Sequence, residues 1–191
     1  MPAKSLPELI AMSKQKEVNL GTAGAGSATH MTLARLTAAT GGKFQHVPYR
    51  GGGALVPDLL AGNIAGAMTE INTALPHHKA GKVRIVAVAS AQRSPQTPDV
   101  ATMIEAGVKD FTAASYVGIL APAKTPPEII ATLEGALKKA LADKAVQGKF
   151  LAVGADLVPP ELQTSKGFGD YIKKEYAASA EAAKLANLKP E

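Results

Sequence analysis

The 191-residue sequence predicts an α/β fold in which a parallel or mixed sheet is flanked by helices. Two observations carry this expectation. A short apolar strand, Val18-Asn19-Leu20, passes through a glycine-rich loop into a helix-periodic segment near Thr29–Thr40. The same order of strand, turn and helix then recurs from Phe44 and again from Ile64, and such alternation favours parallel strands covered on both faces.

Each element has a local cause. Ser5-Leu6-Pro7-Glu8 has capping-box spacing and starts a helix from Leu6 to about Lys16. After the first strand and loop, Leu33, Leu36 and Thr40 share a helical face, which Gly41-Gly42 terminates. Phe44–Pro48 reads as the second strand, Gly51-Gly52-Gly53 as a turn, and Ala54–Ala61 as a short helix that tolerates Pro57. Ile64–Thr69 and Val83–Ser90 are further strands, with a helix near Asn72–Ala80 between them that Gly81 closes. A helix near Val100–Ala106 stops at Gly107, and Thr112–Leu120 reads as a long strand ended by Ala121-Pro122-Ala123. From Thr125 helices dominate. Thr125-Pro126-Pro127-Glu128 combines a cap, first-turn prolines and a capping-box glutamate, and Ile129, Leu133, Leu137 and Leu141 follow at four-residue spacing. A helix at Asp143–Ala152, a strand at Ala155–Val158 and a helix at Ser165–Ala186 complete the series. Residues 113–191 thus offer few strands to cover many apolar helix faces, so this part lacks some of its own core.

Composition removes several function classes. With no cysteine, disulfides, thiolate metal sites and cysteine nucleophiles are excluded. No apolar run approaches the ~20 residues of a membrane span. Met1-Pro2-Ala3-Lys4-Ser5 lacks the features of a secretory signal, so either the chain is cytosolic or an export signal has been removed. The formal charge of +5 favours acidic partners, but the lysines are interspersed with acids and aromatics are only 4%, which argues against a nucleic-acid groove. No cofactor motif is complete: Gly24-Ala25-Gly26 lacks the third glycine of a dinucleotide fingerprint, and neither a Gly-x-Ser-x-Gly elbow nor a phosphate-binding Gly-Lys-Ser/Thr loop occurs. His77-His78 point in different directions on a helix and have no third ligand at suitable spacing. Asp58 reads as a helix-start charge, and Tyr49-Arg50 as a turn able to touch an anion.

The loop Gly21–His30 is the strongest chemical signal. Glycines allow a tight turn and close approach to a ligand, and the helix start supplies unpaired N–H groups at the positive end of a dipole. Ser27 and Thr29 add hydroxyls at the same mouth, and His30 lies in the first turn of the helix. A plain strand-to-helix turn would account for one or two of these glycines, and a histidine bonded to backbone would account for His30.

The order of short motifs along the chain resembles the Bug-type receptors, the extracytoplasmic solute-binding proteins of tripartite tricarboxylate transport systems. The matching residues are Gly24-Ala25-Gly26-Ser27-Ala28-Thr29-His30, His46-Val47-Pro48-Tyr49-Arg50-Gly51, Asp58-Leu59-Leu60-Ala61-Gly62, Ala74-Leu75-Pro76-His77, Lys79-Ala80-Gly81-Lys82-Val83-Arg84, Arg93-Ser94-Pro95, Gly118-Ile119-Leu120-Ala121-Pro122 and the ending Leu188-Lys189-Pro190-Glu191. The resemblance implies a periplasmic-binding-protein-like fold of type II, with one nearly complete lobe over 1–112 and the C-terminal part of the other lobe over 113–191. It implies that the family's N-terminal strand-helix segment is missing, a small carboxylate as ligand, membrane transporter subunits as partners, a periplasmic location and no catalysis. It further implies ligand contacts from Thr22, Gly24, Gly26, Ser27, Thr29 and His30, and from Thr69 and Glu70 where the family more commonly has Asp-Asn. A carboxylate at Glu70 would repel an anionic group and hold an amine or hydroxyl, so a dicarboxylate, hydroxy acid or amino acid all remain open. Two other readings stay beside this one: a hydrolase or transferase using the Gly24–Thr29 loop as an anion hole, and a non-binding scaffold remnant that self-associates through its incomplete lobe.

Overall fold

The computed structural model describes residues 3–113 and 115–185. They divide into two compact units, one over 3–113, 115 and 179–185 and the other over Tyr116–Ala178.

The first unit is the α/β part. Helix α1 (Leu6–Gln15) starts where Ser5 accepts a hydrogen bond from the Glu8 N–H, while the Glu8 carboxylate accepts from the N–H of Lys4, one residue earlier than in the usual reciprocal box. Strand β1 (Val18–Thr22) leads through the loop 23–27 to α2 (Ala28–Thr40), which ends at Gly41 in the left-handed conformation. Strand β2 (Phe44–Pro48) is followed by a 3-10 turn at Gly52–Leu55, helix α3 (Val56–Ala61), strand β3 (Gly66–Ala67) and helix α4 (Ile71–Lys79). The three strands are parallel in the order β2-β1-β3, so β1 is central and the chain crosses from one side of it to the other after β2. Leu6, Leu9, Val18, Leu20, Leu33 and Leu36 form the main core, closed by Met103, Val108 and Phe111. This burial places α1 and α2 against the sheet and fixes where α2 begins.

Two expected elements of this unit do not form. Val83–Ser90 is not a ladder strand: Val88 makes one isolated parallel bridge to Thr102, and Ala89 accepts one bond from Ala113. Its apolar side chains instead pack as a layer, with Val86, Ala87 and Ala89 against the core. Val100–Ala106 is not a helix, because the Met103 N–H donates to Val88 O rather than back along its own segment. One turn remains, capped reciprocally by Thr102 and Glu105 and ended at Gly107, whose φ is 94°. Expected strand Ile64–Thr69 is shorter than its sequence signal; only Gly66–Ala67 is regular, although Ala65 and Met68 also donate to β1 carbonyls.

The second unit contains α5 (Pro127–Ala142), α6 (Lys144–Ala152), a 3-10 turn at Pro160–Leu162 and most of α7 (Ser165–Leu185). Asp143 caps α6 by accepting from Ala145 and Val146. The Thr125 cap expected for α5 is not made. Consecutive prolines move the start by one residue, so Pro126 occupies the cap position and offers no side-chain acceptor. The expected strands Thr112–Leu120 and Ala155–Val158 pair with no neighbouring strand among the described residues, and an extended segment without a ladder partner is not a strand. Val117 in the first of them is 99% exposed. Ala114, Ala186 and the ending Leu188–Glu191 lie outside the described residues.

Candidate functional site

The carboxyl ends of all three strands bring the glycine loops together. Beyond β1 the Ala23 carbonyl accepts from Gly51, and the Thr22 carbonyl accepts from Tyr49, so the loop after β1 is tied to the loop after β2. Beyond β3, Thr69 and Glu70 lie against Gly52: a Cβ on Gly52 would stand 2.9 Å from Thr69 Oγ1 and 3.3 Å from Glu70 Oε2. Because β2 and β3 lie on opposite sides of β1, the loops after β1 and β3 diverge at a topological switch point, the usual ligand crevice of an open parallel sheet.

The β1–α2 loop is internally braced. Gly24 has φ 135° and its missing Cβ leaves 3.1 Å to the Tyr49 carbonyl, so any side chain there meets both strain and backbone. Ser27 is the N-cap of α2: its Oγ accepts from the His30 N–H at 3.2 Å and donates to Gly24 O at 2.8 Å. Thr29 Oγ1 accepts from the Ala23 N–H and lies 2.9 Å from Ser27 Oγ. Thr22 is fully buried, and its hydroxyl accepts from the Gly24 N–H and lies 2.6 Å from His46 Nε2. The Gly26 N–H donates to His30 Nδ1 at 3.2 Å.

These bonds sort the residues expected at the site. Thr22, Gly24, Gly26, Ser27, Thr29 and His30 are gathered within one loop and helix start, where their polar groups hold the loop's shape. Among the described residues the N–H groups of Ala28 and Thr29, at the beginning of α2, have no protein acceptor. They point the positive end of a 13-residue helix toward the crevice. Glu70 occupies the cap position of α4 without a side-chain cap bond, and Thr69 Oγ1 is buried without a partner. Arg50 is exposed on the loop after β2, whereas Asp58 is held by Tyr49 and Asn63.

Sequence reasoning missed one participant, His46. Its ring stacks on that of His30 with centroids 3.7 Å apart and planes 11° from parallel. Burial pushes the pKa of both rings below 6.5, and for His46 the neighbouring His30 adds to this. The available signal was strand alternation, which places His46 on the same face of β2 as Phe44, and Phe44 packs against the core. In the second unit, an open groove lined by Thr125, Ile130, Glu134, Lys138 and Ser165 is polar at Glu134 alone among its acids. That carboxylate is already engaged by Lys138 and the Ser165 N–H.

Comparison with known proteins agrees with this geometry. The profile of a family described as "Tripartite tricarboxylate transporter family receptor" matches residues 1–181. Protein BugT of Bordetella pertussis is 35% identical over 166 residues, covering 86% of this chain and 51% of that protein. Among solved structures, an R. palustris protein described with adipate superposes with a TM-score of 0.87 at 26% identity, covering 100% of this chain and 64% of the other. MatC from Rhodopseudomonas palustris, described with bound malate, gives 0.80 at 26% identity, covering 97% and 63%. The periplasmic binding protein BugD gives 0.82 at 28% identity, covering 100% and 64%. The chain spans about half the length of the curated relatives it matches.

Proposed function

Because the chain belongs to the tripartite tricarboxylate transporter receptor family, we propose that it is a periplasmic solute-binding receptor, performing no chemistry, that captures a small carboxylated metabolite for membrane transporter subunits. In this reading residues 1–112 form the ligand-binding lobe and 113–191 the C-terminal part of the other lobe. The observation that carries it is the pair of unused N–H groups of Ala28 and Thr29 at the start of α2, beside the switch point of the sheet. Two backbone donors and a helix dipole suit a carboxylate oxygen pair. Thr22, Gly24, Gly26, Ser27, Thr29 and His30 shape that cradle. Thr69 and Glu70 stand across the crevice, where a carboxylate favours a ligand that also carries a hydroxyl or ammonium group.

The test is a thermal-shift and calorimetric screen of the 191-residue chain with malate, adipate, other hydroxy acids and amino acids. A ligand at 100 times its Kd stabilises the native state by about 2.7 kcal/mol. At least one carboxylate should raise the midpoint, and Ser27→Ala should weaken that response; a chain that responds to none of them is not a carboxylate receptor. Turnover of model esters abolished by Ser27→Ala would favour the anion-hole enzyme instead.

We also propose self-association through the second unit, on the observation that Val117, Ile119, Leu120 and Leu133 are exposed. Light scattering should detect oligomers that dissociate on dilution, whereas a monomer at all concentrations excludes this.

A further inference from the structure

The stacked histidines are wired into the glycine loop after β1. His30 Nδ1 accepts the Gly26 N–H, which requires that nitrogen to be unprotonated. His46 Nε2 meets the buried hydroxyl of Thr22, which in turn accepts the Gly24 N–H. The two rings therefore anchor both glycines of the loop, one from α2 and the other from β2, and they do so back to back at 3.7 Å.

Among the described residues no carboxylate pairs with either ring, and the acid of the crevice, Glu70, stands beyond β3 beside Gly52. β1 and the loop 23–27 carry no ionisable side chain, and β2 carries only His46. On α2 the other ionisable residue is Arg35, a further cation, whose guanidinium lies over Phe111 and donates to Thr112 O. On the loop after β2, the Tyr49 hydroxyl is given to Asp58, and Arg50 is cationic.

We propose that His46 is a positioning residue that holds the β1–α2 loop through His30, and that protonation of the pair below neutral pH releases the loop and the ligand it cradles. Protonating His30 Nδ1 sets two donors against each other at the Gly26 N–H. A second proton on His46 stacks like charges with ring centroids 3.7 Å apart, which disfavours the doubly protonated pair. The lowered pKa values of both rings fit a pair that is neutral when the loop is closed. The release of ligand rests on the carboxylate-receptor reading; the response of the loop does not.

The experiment separates the two. NMR on the ligand-free chain would follow the His30 and His46 ring protons and the Gly26 amide from about pH 8 to about pH 5. The expected result is that both rings titrate below the ordinary 6.5 and that the Gly26 amide shifts with them. His46→Phe keeps a stacked ring but cannot take a proton, and in His30→Phe, where the neighbouring charge is gone, the His46 midpoint should rise. A Gly26 amide that does not move while His30 titrates overturns the proposal, even if the variants fail to fold. With malate as probe, affinity should fall about fivefold or more on acidification, and less in His46→Phe at the same pH, a comparison that cancels malate's own titration. An equal loss in both proteins overturns the ligand half. Absence of malate binding at any pH counts against the receptor reading while leaving the loop titration to be judged alone.

Discussion

The hydroxyl of Tyr49 donates a 2.7 Å hydrogen bond to Asp58 Oδ2, joining the loop after β2 to the first turn of α3. The same residue gives its N–H to Thr22 O and sets its carbonyl against Gly24, so one tyrosine ties the loop after β2 to both the end of β1 and the start of α3. Hydrogen bonds from Asn63 and then Tyr49 hold the Asp58 carboxyl below its ordinary 3.8. A group lowered in this way contributes stability that is present above the unfolded pKa and lost as pH falls through the folded one. Tyr49→Phe should therefore raise the Asp58 midpoint toward 3.8, read from its carboxyl carbon by NMR.

Gly24→Ala tests whether the loop's shape is obligatory. With φ at 135° and the Tyr49 carbonyl 3.1 Å from the new Cβ, the variant should lose at least ~1 kcal/mol in urea unfolding. Its carboxylate-induced thermal shift should fall by more than that of a surface control. An unchanged unfolding midpoint would show that the loop relaxes freely.

Two leucines with equal side chains should behave differently. Leu36 is 1% exposed in the main core, and Leu36→Ala should cost ~2–5 kcal/mol in urea unfolding. Leu133, on α5, is 46% exposed, and Leu133→Ala should cost less than ~1 kcal/mol. If the oligomers expected of the second unit form, Leu133→Ala should also weaken them, which light scattering measures.

Glu134 links α5 to the start of α7. Its hydrogen bond with Lys138, followed by the Ser165 N–H, lowers its pKa to about 2. The contribution of this carboxylate is complete above its ordinary 4.5 and disappears as pH falls toward about 2. Lys138→Met should raise the Glu134 midpoint measurably, as NMR titration would report, and Ser165 N–H bonding should keep it below 4.5.

The sequence was legible wherever a local rule and the buried face agreed. The α1 cap at Ser5, the Gly41 stop of α2 and the first residues of β1 and β2 all follow from side chains within a few positions of them. The parallel arrangement followed from alternation, and the loop residues from glycine spacing at a helix start. Legibility failed where one distant hydrogen bond decided the outcome: Met103 gives its N–H to Val88 and thereby forgoes a helix, and Val88 gains a single bridge instead of a strand. It failed again at 112–120, where an apolar sequence suited to a strand finds no ladder partner among the described residues.

What the sequence by itself determined was the class of fold, the family and the position of the glycine loop between β1 and α2, because periodicity, glycine placement and motif order are written along the chain. Tertiary structure alone decided which polar groups of that loop are already spent. Thr22 is buried against His46, Ser27 and Thr29 satisfy their own loop, and the N–H groups of Ala28 and Thr29 are left over. Hydrogen-bond partners depend on which strands lie side by side, and no residue carries that information alone. The pairing of His30 with His46, sixteen positions apart in sequence and 3.7 Å apart in space, exists only because β2 pairs with β1 beneath α2.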